Sequence, residues 1–291
     1  CLLFYQSSNM LILNGKLLDP GSNEDHFLNR SFKYGDGIFE TIRIYQGRVL
    51  FIDDHLNRLT EGMKVLQFEF LENEFQKELK EKIEHLKVLN GISNHGRIRI
   101  QVYRTGPGAY TPIELSPSYL IEGYSLKTDY FNSDTTVSLT PYQDISLQHN
   151  ILSPYKTSNA LPYVLAGHYA DQNGFDDAVL FSDGQVCETA GSNIFIVHNQ
   201  KIFTPPLSSG CVDGIMRRKI FILANQLKLT CTEKKLKGKD LSQADEIFLT
   251  NSLRGITPVH RWKDLLYDTK KYAITSFLKK CFAQFISQNQ W

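Results

Sequence analysis

Residues 153–193 read SPYKTSNALPYVLAGHYADQNGFDDAVLFSDGQVCETAGSN, and the predicted fold centres on this stretch. Lys156 stands in a polar segment rich in turn-forming residues. A predicted helix follows, which begins at Leu161, has a proline at its second position, and ends near Asn173 and Gly174. The stretch therefore places a single lysine just before the start of a helix.

A lysine in this position has two interpretations. Lys156 is a solvated loop lysine, or it is a Schiff-base lysine, whose amine must be partly desolvated to act as nucleophile and base. Farther along, an apolar strand at 178–181 leads to a tight turn, and Glu188 follows that turn. Glu188 is a surface carboxylate at a strand end unless a ligand or cofactor requires it. Spacing alone does not choose between these interpretations.

The composition is that of an ordinary globular protein. The 291 residues are 42% hydrophobic and 22% charged, and 32 basic against 31 acidic residues leave a net charge of +1. This length allows one large or two moderate domains. The charge balance gives no argument for a nucleic-acid partner, and no long apolar run argues for a membrane span.

The cysteines and histidines form no recognisable site. The five cysteines are scattered and include no CxxC pair, and the eight histidines include no HExxH motif. Neither a disulfide framework nor a metal site is therefore expected. Met10 resembles a natural start, so we expect residues 1–9 to be upstream sequence. No secretory signal is recognised, and a cytoplasmic location is expected.

Alternation of apolar and polar residues predicts strands in the first part of the chain. Residues 11–18 predict a hairpin about an Asn14-Gly15 turn, and residues 39–45 and 48–52 predict a second hairpin. The clearest strand is 97–103, whose apolar side is expected to face the core.

Two helices are predicted between these strands. Asp53 is the expected N-cap of the first, whose apolar stripe consists of Leu56, Leu59, Met63 and Leu66. Arg58 lies off this stripe, as either a surface arginine or a phosphate ligand, since a bidentate guanidinium suits phosphate oxygens. The second helix spans about 74–89, ends at Asn90 and Gly91, and buries Phe75, Leu79, Ile83 and Leu86.

Candidates for substrate binding lie on and after strand 97–103. Its polar side carries Arg97, Arg99, Gln101 and Tyr103, and this face is either solvated or positions an arginine for a substrate carboxylate. Arg104 is the other candidate for that role. Residues 104–118 are rich in glycine and proline and predict an irregular loop.

The second part of the chain is expected to start at a crossing near 127–133 and to hold mostly strands, with main helices at about 160–173 and 215–227. Gly214 precedes the second helix, whose N-terminal N–H groups would suit a phosphate. The alternative is that Gly214 only begins a core helix and binds no phosphate, which would give the same sequence pattern. Ser252 is either an ordinary residue of a strand-end turn or a further phosphate contact.

Seven short motifs, in this order, resemble the class-IV aminotransferase family, the fold-type-IV enzymes that use pyridoxal phosphate (PLP). The resemblance runs from about Leu11 to about Val259, and it is specific because the motifs occur together. They are YGDGIFETIR at 34–43, HLNRL at 55–59, Lys156 with its helix, ETAGSNIF at 188–195, TPP at 204–206, GIMR at 214–217 and TNS at 250–252.

This resemblance implies a role for each candidate residue. Lys156 would form the internal aldimine and move protons at the reacting carbon, and Glu188 would keep the pyridine nitrogen protonated. The implied cofactor contacts also include Arg58, Ser192, Asn193, Gly214, Ile215, Met216 and Ser252. Tyr34 and Phe39 either wall the pocket or belong to the core, and the substrate candidates remain Arg99, Tyr103 and Arg104.

The resemblance also implies an α+β architecture. A smaller N-terminal α/β domain would span residues 10–126, and a larger C-terminal pseudo-barrel domain would span residues 127–291, with PLP between them. A homodimer is implied as well, with the partner contributing to the pocket.

Two reactions stay open. The family's branched-chain aminotransferases have a tyrosine five residues after the lysine, where this chain has Leu161. Their aromatic-x-Arg-Pro motif and the Arg-x-His pair of the D-amino-acid enzymes are both absent from strand 99–103. Leu161, 214–217 and 250–253 instead resemble aminodeoxychorismate lyase, which releases pyruvate and forms 4-aminobenzoate for folate synthesis. We favour the lyase, with a branched-chain or D-amino-acid aminotransferase using 2-oxoglutarate as the alternative.

Two further classes of protein fit this sequence less well. A non-catalytic PLP-fold protein is disfavoured because Lys156 and Glu188 are both present. A cofactor-free enzyme with Cys187 or Cys211 as nucleophile is disfavoured because neither has a histidine nearby in the sequence.

Overall fold

The structure is a computed structural model that describes residues 10–18, 29–127, 129, 131 and 133–288. Its chain forms two compact units, Cys1–Asp129 with Tyr155–Ser158 and Tyr130–Pro154 with Asn159–Trp291. The two-domain prediction assigned all of 127–291 to the second domain, whereas the segment that carries Lys156 packs with the first unit. Residues 128, 130 and 132 of the expected crossing, and residues 1–9 with the expectation about them, lie outside the described residues.

The first unit is built on a six-stranded antiparallel sheet in the order β2-β1-β6-β5-β3-β4. Both expected hairpins are confirmed, with Asn14-Gly15 and Gln46-Gly47 at positive φ in their turns. The second hairpin is shorter than expected, because its last strand ends at Val49. The strands are β1 (Leu11–Leu13), β2 (Lys16–Leu18), β3 (Gly37–Tyr45), β4 (Arg48–Val49), β5 (Gly96–Tyr103) and β6 (Ser118–Ser125).

Helices α2 (Ile52–Val65) and α3 (Glu72–Leu89) pack on one face of this sheet, and the short α1 (Arg30–Tyr34) was not predicted. The predicted apolar positions of both long helices are buried, except that Leu66 is half-buried at the end of α2. The shared core contains Ile38, Ile42, Ile98, Ile100 and Ile121 from the sheet and Leu56, Leu59, Met63, Leu79, Ile83 and Leu86 from the helices.

The expectation that Asp53 caps α2 is wrong. The N-cap is Phe51, whose backbone has a φ of 54° and whose side chain accepts no hydrogen bond. Asp53 instead lies in the first turn, where a negative charge suits the helix dipole. Its carboxylate lies 2.5 Å from the Lys80 ammonium of α3. Asp53 therefore contributes charge, while the tight backbone turn at Phe51 begins the helix.

Residues 155–158 extend the sheet of the first unit at the edge of β3. The Phe39 N–H donates to the Lys156 carbonyl at 2.8 Å, and the Ser158 N–H donates to the Gly37 carbonyl at 2.9 Å. Ile38 and Thr157 face each other in this antiparallel bridge. The segment that was predicted as a polar loop is therefore held as a short strand-like edge.

The second unit contains a nine-stranded mixed sheet in the order β12-β11-β10-β13-β14-β7-β8-β9, with β15 joined to β14. Because the edge strand β9 also contacts β10, the sheet curls on itself, as a pseudo-barrel requires. The strands are β7 (Val137–Ser146), β8 (Asp177–Ser182), β9 (Gln185–Thr189), β10 (Asn193–His198), β11 (Lys201–Thr204), β12 (Cys231–Glu233), β13 (Glu246–Asn251), β14 (Gly255–Trp262) and β15 (Leu265–Leu266).

Two helices of the second unit, α4 (Leu161–Gln172) and α5 (Ile215–Gln226), confirm the prediction, whereas α6 (Gly238–Ser242) and α7 (Ala273–Ser287) were not predicted. The start of α7 is fixed by Glu246, whose buried carboxylate accepts the N–H groups of Ile274 and Thr275 at 3.0 and 2.7 Å. This long-range cap leaves no local sequence signal. Among the residues that the structure describes, no helix is both long and apolar enough to cross a bilayer.

Replacing Gly37 tests the close approach at the edge of β3. In Gly37→Ala the added Cβ would lie 2.7 Å from the Val102 carbonyl oxygen and 2.9 Å from the Ser158 hydroxyl, so the backbone must shift. We expect a loss of about 1–3 kcal/mol in the free energy of unfolding. Urea unfolding followed by circular dichroism measures it.

The matched control is Gly167→Ala, in the middle of α4, where the added Cβ meets nothing within 4 Å. Because alanine favours the helix over glycine, this control is expected to be neutral or stabilising by up to about 1 kcal/mol. Equal unfolding midpoints for the two variants would contradict the packing described for Gly37.

Candidate active site

Lys156 presents its amine to the sheet face opposite α2. Neighbouring side chains of an extended segment point to opposite faces, and Tyr155 packs against the core on the helix side, next to Gly62. The Lys156 Nζ atom lies 5.0 Å from the centre of the Phe39 ring. The side chain is half-buried. This setting provides the partial desolvation that a nucleophilic amine needs, and the Schiff-base role itself stays a prediction.

Phe39 and Arg99 extend the same polar face. Phe39 is half-buried, and the Arg99 guanidinium lies 4.0 Å from the centre of its ring. Arg99 also donates to Gln101 Oε1 at 2.9 Å, and Gln101 donates to the Ser158 hydroxyl at 2.9 Å. The face on strand 97–103 where a substrate arginine was expected is therefore the face that carries Lys156. Whether Arg99 binds a carboxylate stays a prediction.

Arg58 is buried between α2 and the sheet, so its interpretation as a surface arginine is wrong. Its Nε and Nη2 atoms donate to the two carboxylate oxygens of Glu40 at 2.7 and 2.6 Å. His55 Nδ1 lies 2.7 Å from Glu40 Oε2. The arginine is thus oriented by a buried carboxylate on β3. Its predicted contact with a phosphate is untested by this geometry.

The charges in this cluster follow from burial and pairing. Burial alone would raise the pKa of Glu40, but the charges and hydrogen bonds of Arg58 and His55 outweigh it and lower that pKa to about 2. Burial also lowers the pKa of His55 despite the nearby carboxylate. We therefore assign a neutral His55 at neutral pH. Because an ionised Glu40 only accepts, His55 Nδ1 carries the hydrogen.

The other predicted substrate residues of the first unit occupy three different settings. Tyr34 is 40% exposed at the end of α1, with its ring centre 5.9 Å from that of Tyr110, so it is not a core residue. Tyr103 is buried, and burial raises its pKa. Arg104 is buried, lies 2.5 Å from Asp36 and donates to the Leu66 carbonyl. A buried ion pair thus accounts for the charge of Arg104, and its substrate role stays a prediction.

Glu188 lies within β9 and is only 3% exposed, so it is not a surface carboxylate. Its Oε1 accepts the Tyr163 hydroxyl at 2.8 Å. Its Oε2 accepts the Val212 N–H at 3.2 Å and the Asn193 amide at 3.4 Å. Three neutral donors thus reach the two carboxylate oxygens, and hydrogen bonds of this kind stabilise a carboxylate in its charged form. Its predicted pairing with a pyridine nitrogen stays a prediction.

The turn between β9 and β10, residues 190–192, is held by a half-buried carboxylate on β8. Asp177 accepts the Thr189 hydroxyl at 2.7 Å and the Ala190 N–H at 3.0 Å, and burial raises its pKa. The Ser192 hydroxyl accepts the Asn251 amide at 2.9 Å. Ser192 is thus tied to the end of β13, beside Ser252.

Ser252 lies in the turn between β13 and β14. The Asn251 side chain holds this turn, because its Oδ1 accepts the N–H groups of Leu253 and Arg254 at 3.1 and 2.8 Å. The position is the strand-end turn expected from the sequence. A phosphate contact from Ser252 stays a prediction.

Gly214 is the N-cap of α5, which begins at Ile215 and continues with Met216, both buried. A Cβ on Gly214 would lie 2.0 Å from Asn193 Oδ1, so this position accepts only glycine without rearrangement. Asn193 in turn donates to the Val212 carbonyl at 2.8 Å. Gly214 supplies no side-chain cap, and the first N–H groups of a helix can bind a phosphate.

Sequence reasoning missed several residues of these clusters, among them Glu40, His55, Tyr163, Asp177 and Asn251. Glu40, His55 and Asn251 lie inside the family motifs but were given no role. Tyr163 shares a helix face with Ala166 and Ala170, which are both buried. Helical periodicity could therefore have shown that the polar tip of Tyr163 points into the protein. No local signal identified Asp177.

The cysteine-nucleophile alternative gains no support from the structure. Cys187 and Cys211 are both buried. The neighbouring Cys211 thiol, burial and the Glu188 charge raise the pKa of Cys187 far above its usual range, which disfavours a thiolate. Within the described ranges, no group of three or more histidine, cysteine or acidic side chains could hold a metal ion.

Two curated relatives resemble this chain over almost its whole length. A putative branched-chain-amino-acid aminotransferase of Methanocaldococcus jannaschii is 30% identical over 286 residues, which cover 94% of each chain. The aminodeoxychorismate lyase of Bacillus subtilis is 27% identical over 287 residues, which cover 93% of this chain and 92% of the lyase.

A solved structure and a family sequence model agree with these relatives. The crystal structure of a branched-chain aminotransferase from Thermoproteus uzoniensis with norvaline is 25% identical, with a TM-score of 0.84 over 96% of this chain and 95% of that one. This similarity confirms the fold-type-IV expectation. The sequence model of the amino-transferase class IV family matches residues 37–262, which include Lys156 and Glu188. The chain is therefore an enzyme of the class-IV aminotransferase family.

Proposed function

We propose that this enzyme is an aminodeoxychorismate lyase that uses PLP, releases pyruvate and forms 4-aminobenzoate. The observation that carries the choice is Leu161, an aliphatic side chain, 72% exposed, at the position where the family's branched-chain aminotransferases have a tyrosine. Similarity to the Bacillus subtilis lyase supports the same choice. A place in folate synthesis and a cytoplasmic location belong to this proposal.

The second candidate is an aminotransferase that acts on a branched-chain or D-amino acid with 2-oxoglutarate. Similarity to the Methanocaldococcus jannaschii relative favours it. Arg99 also fits it, because a half-buried guanidinium on the face that carries Lys156 suits the carboxylate of an amino acid. An amino donor with an α-carboxylate would need such a residue.

The residues of the chain fit PLP. The N-terminus of α5 has no side-chain cap, and its backbone comes close to Asn193 at Gly214, as a phosphate cradle requires. Glu188 is buried and accepts hydrogen bonds from three neutral donors, and as a carboxylate it can hold a protonated ring nitrogen. Lys156 is half-buried beside an aromatic ring. When bound, PLP supplies the electron sink for the reaction.

The side chains have separate tasks in this mechanism. Lys156 Nζ would hold the cofactor and would serve as the base at the reacting carbon. Glu188 would hold the protonated ring nitrogen. Arg58, Ser252 and the amides of Ile215 and Met216 would be the phosphate ligands that the family motifs imply. Phe39 shields the lysine amine from water, which helps to maintain it as a base.

The proposal includes a homodimer. Leu161 and Val164 lie three residues apart on α4 and are 72% and 60% exposed, and neighbouring apolar side chains at a surface mark a contact site. A second copy of this chain is the expected partner.

We predict that Val164→Arg shifts the sedimentation coefficient toward the monomer. The control Leu266→Arg changes an equally apolar residue that is 72% exposed and should leave the dimer intact. A wild-type monomer would contradict the dimer.

Glu40→Gln should destabilise the first unit in a pH-dependent manner. The pKa of Glu40 is lowered from 4.5 to about 2, so its stabilising effect is complete above pH 4.5 and is lost as the pH falls toward 2. At pH 7 we expect a loss of about 3 kcal/mol in the free energy of unfolding. Urea unfolding at pH 7 and pH 3 should show a smaller loss at pH 3. The exposed Glu74→Gln should show none at either pH, and a pH-independent loss for Glu40→Gln would count against the ion pair.

Lys156→Ala tests the central assignment. Borohydride treatment of the wild type with PLP should add the cofactor's mass to the peptide that contains Lys156, and Lys156→Ala should show no such addition, because no amine remains there. We expect turnover to fall by at least about a thousandfold, the scale of losing a covalent catalyst and base. The exposed Lys201→Ala serves as the control.

The substrate given to these samples separates the two reactions. Release of pyruvate and 4-aminobenzoate from aminodeoxychorismate supports the lyase. Amino transfer from branched-chain or D-amino acids to 2-oxoglutarate, with no release of pyruvate and 4-aminobenzoate from aminodeoxychorismate, would contradict the lyase and support the aminotransferase. A cofactor mass that persists on another lysine in Lys156→Ala would overturn the role of Lys156.

A further inference from the structure

We infer that Tyr163 is a positioning residue that holds Glu188 in its ionised form and in the orientation needed to bind the ring nitrogen of PLP. This inference rests on the proposed function, because it concerns how Glu188 acts on the cofactor. It adds to that function a residue on α4 that acts through Glu188. Three observations support it: the contact, the rigidity of the helix, and the charge state of the phenol.

The contact is short and specific. The Tyr163 hydroxyl lies 2.8 Å from Glu188 Oε1, compared with 3.2 Å for the Val212 N–H and 3.4 Å for the Asn193 amide on Oε2. The phenol therefore makes the shortest of these three contacts and the one on Oε1. Hydrogen bonds to a carboxylate stabilise its charged form and restrict its rotation.

The hydroxyl is delivered by a rigid element. Tyr163 lies in the first turn of α4, where Pro162 restricts the backbone. Ala166 and Ala170, one and two turns later on the same face, are fully buried against β7 and β8. Tyr163 packs into the same cluster as Cys187, the residue before Glu188. Packing of the helix thus fixes the phenol over β9.

The phenol keeps its proton at working pH and so can donate to Glu188. Burial and the negative charge of Glu188 raise the pKa of Tyr163 well above its usual range. Its proton therefore stays on the oxygen and points at the carboxylate. A neutral donor lowers the proton affinity of Glu188 without adding a positive charge that would compete with a protonated ring nitrogen.

Removing the hydroxyl should have a defined consequence. Without it, the buried carboxylate loses the phenol hydrogen bond to Oε1 and should bind a proton more readily. It then holds the protonated ring nitrogen less well. The effect must depend on the ring nitrogen and on Glu188, which a purely structural role for Tyr163 would not require.

The test measures cofactor affinity of the apoprotein by fluorescence titration, without turnover. Two ligands are used: PLP, and its analogue in which a C–H group replaces the ring nitrogen. For Tyr163→Phe we expect PLP to bind about tenfold more weakly, the scale of one hydrogen bond to a charged group. The affinity for the analogue should be unchanged. The acid limb of the pH profile for PLP binding should also move to higher pH.

Two further variants make the test decisive. Tyr169→Phe removes a phenol hydroxyl from the same helix, where the ring packs 5.4 Å from that of Tyr142, and should leave both affinities unchanged. In Glu188→Gln, adding Tyr163→Phe should cause no further loss, because the two side chains act as one unit. This comparison remains informative if either single variant is less stable.

Each result has one meaning. A Tyr163→Phe protein that binds PLP like the wild type, or that loses affinity equally for PLP and the analogue, overturns the inference and leaves the proposed function in place. A wild type that binds no PLP overturns the proposed function, and the inference with it. Selective loss for PLP that disappears in the Glu188→Gln background supports both.

Discussion

The backbone pairing of residues 156–158 with the start of β3 determines where Lys156 stands in the first unit. An isolated loop lysine would sample many positions, at a cost in entropy whenever it had to act. Here two backbone hydrogen bonds and the bridge between Ile38 and Thr157 fix the segment. Because side chains alternate along it, anchoring Tyr155 in the core places Lys156 on the opposite face. Gly37 permits this pairing by leaving room that no side chain could share.

Arg58 shows a second constraint of the same unit. A guanidinium at that depth is stable only with a carboxylate partner, since an unpaired buried charge costs several kcal/mol. Glu40 meets this need with two parallel hydrogen bonds, and a neutral His55 donates to one of the same oxygens. The three side chains join α2 to β3 across the core. The plane of the guanidinium is therefore set by the sheet, whatever else Arg58 binds.

The sequence predicted well those features that depend on local patterning. The strand at β5, the helices α2 to α5 and both hairpins follow from alternation, helical periodicity and turn residues. It did not predict α7, whose first turn is capped by Glu246 from a distant strand. It also misjudged Asp53. The N-cap of α2 is Phe51, two residues earlier, and its left-handed backbone turn begins the helix without a capping side chain.

The same distinction between local patterns and long-range contacts applies to the candidate site residues. The family motifs predicted roles for Lys156 and Glu188, whereas the packing around these two side chains was not predicted. The chain places Lys156 with the first unit, although contiguity in the sequence assigned it to the second. Tyr163 and Asp177 act through contacts with residues 25 and 12 positions away in the chain. Such contacts become visible only when the strands are arranged side by side.

The two buried carboxylates, Glu40 and Glu188, have different hydrogen-bond donors. Glu40 faces a permanent cation, Arg58, whose charge and hydrogen bonds help to lower its pKa to about 2 and make the pair a fixed structural unit. Glu188 accepts hydrogen bonds from three uncharged donors, a phenol, a backbone N–H and an amide. Uncharged donors stabilise a negative charge without neutralising it, so they leave a carboxylate able to attract a cationic group. That is the property that the proposed chemistry would require of Glu188.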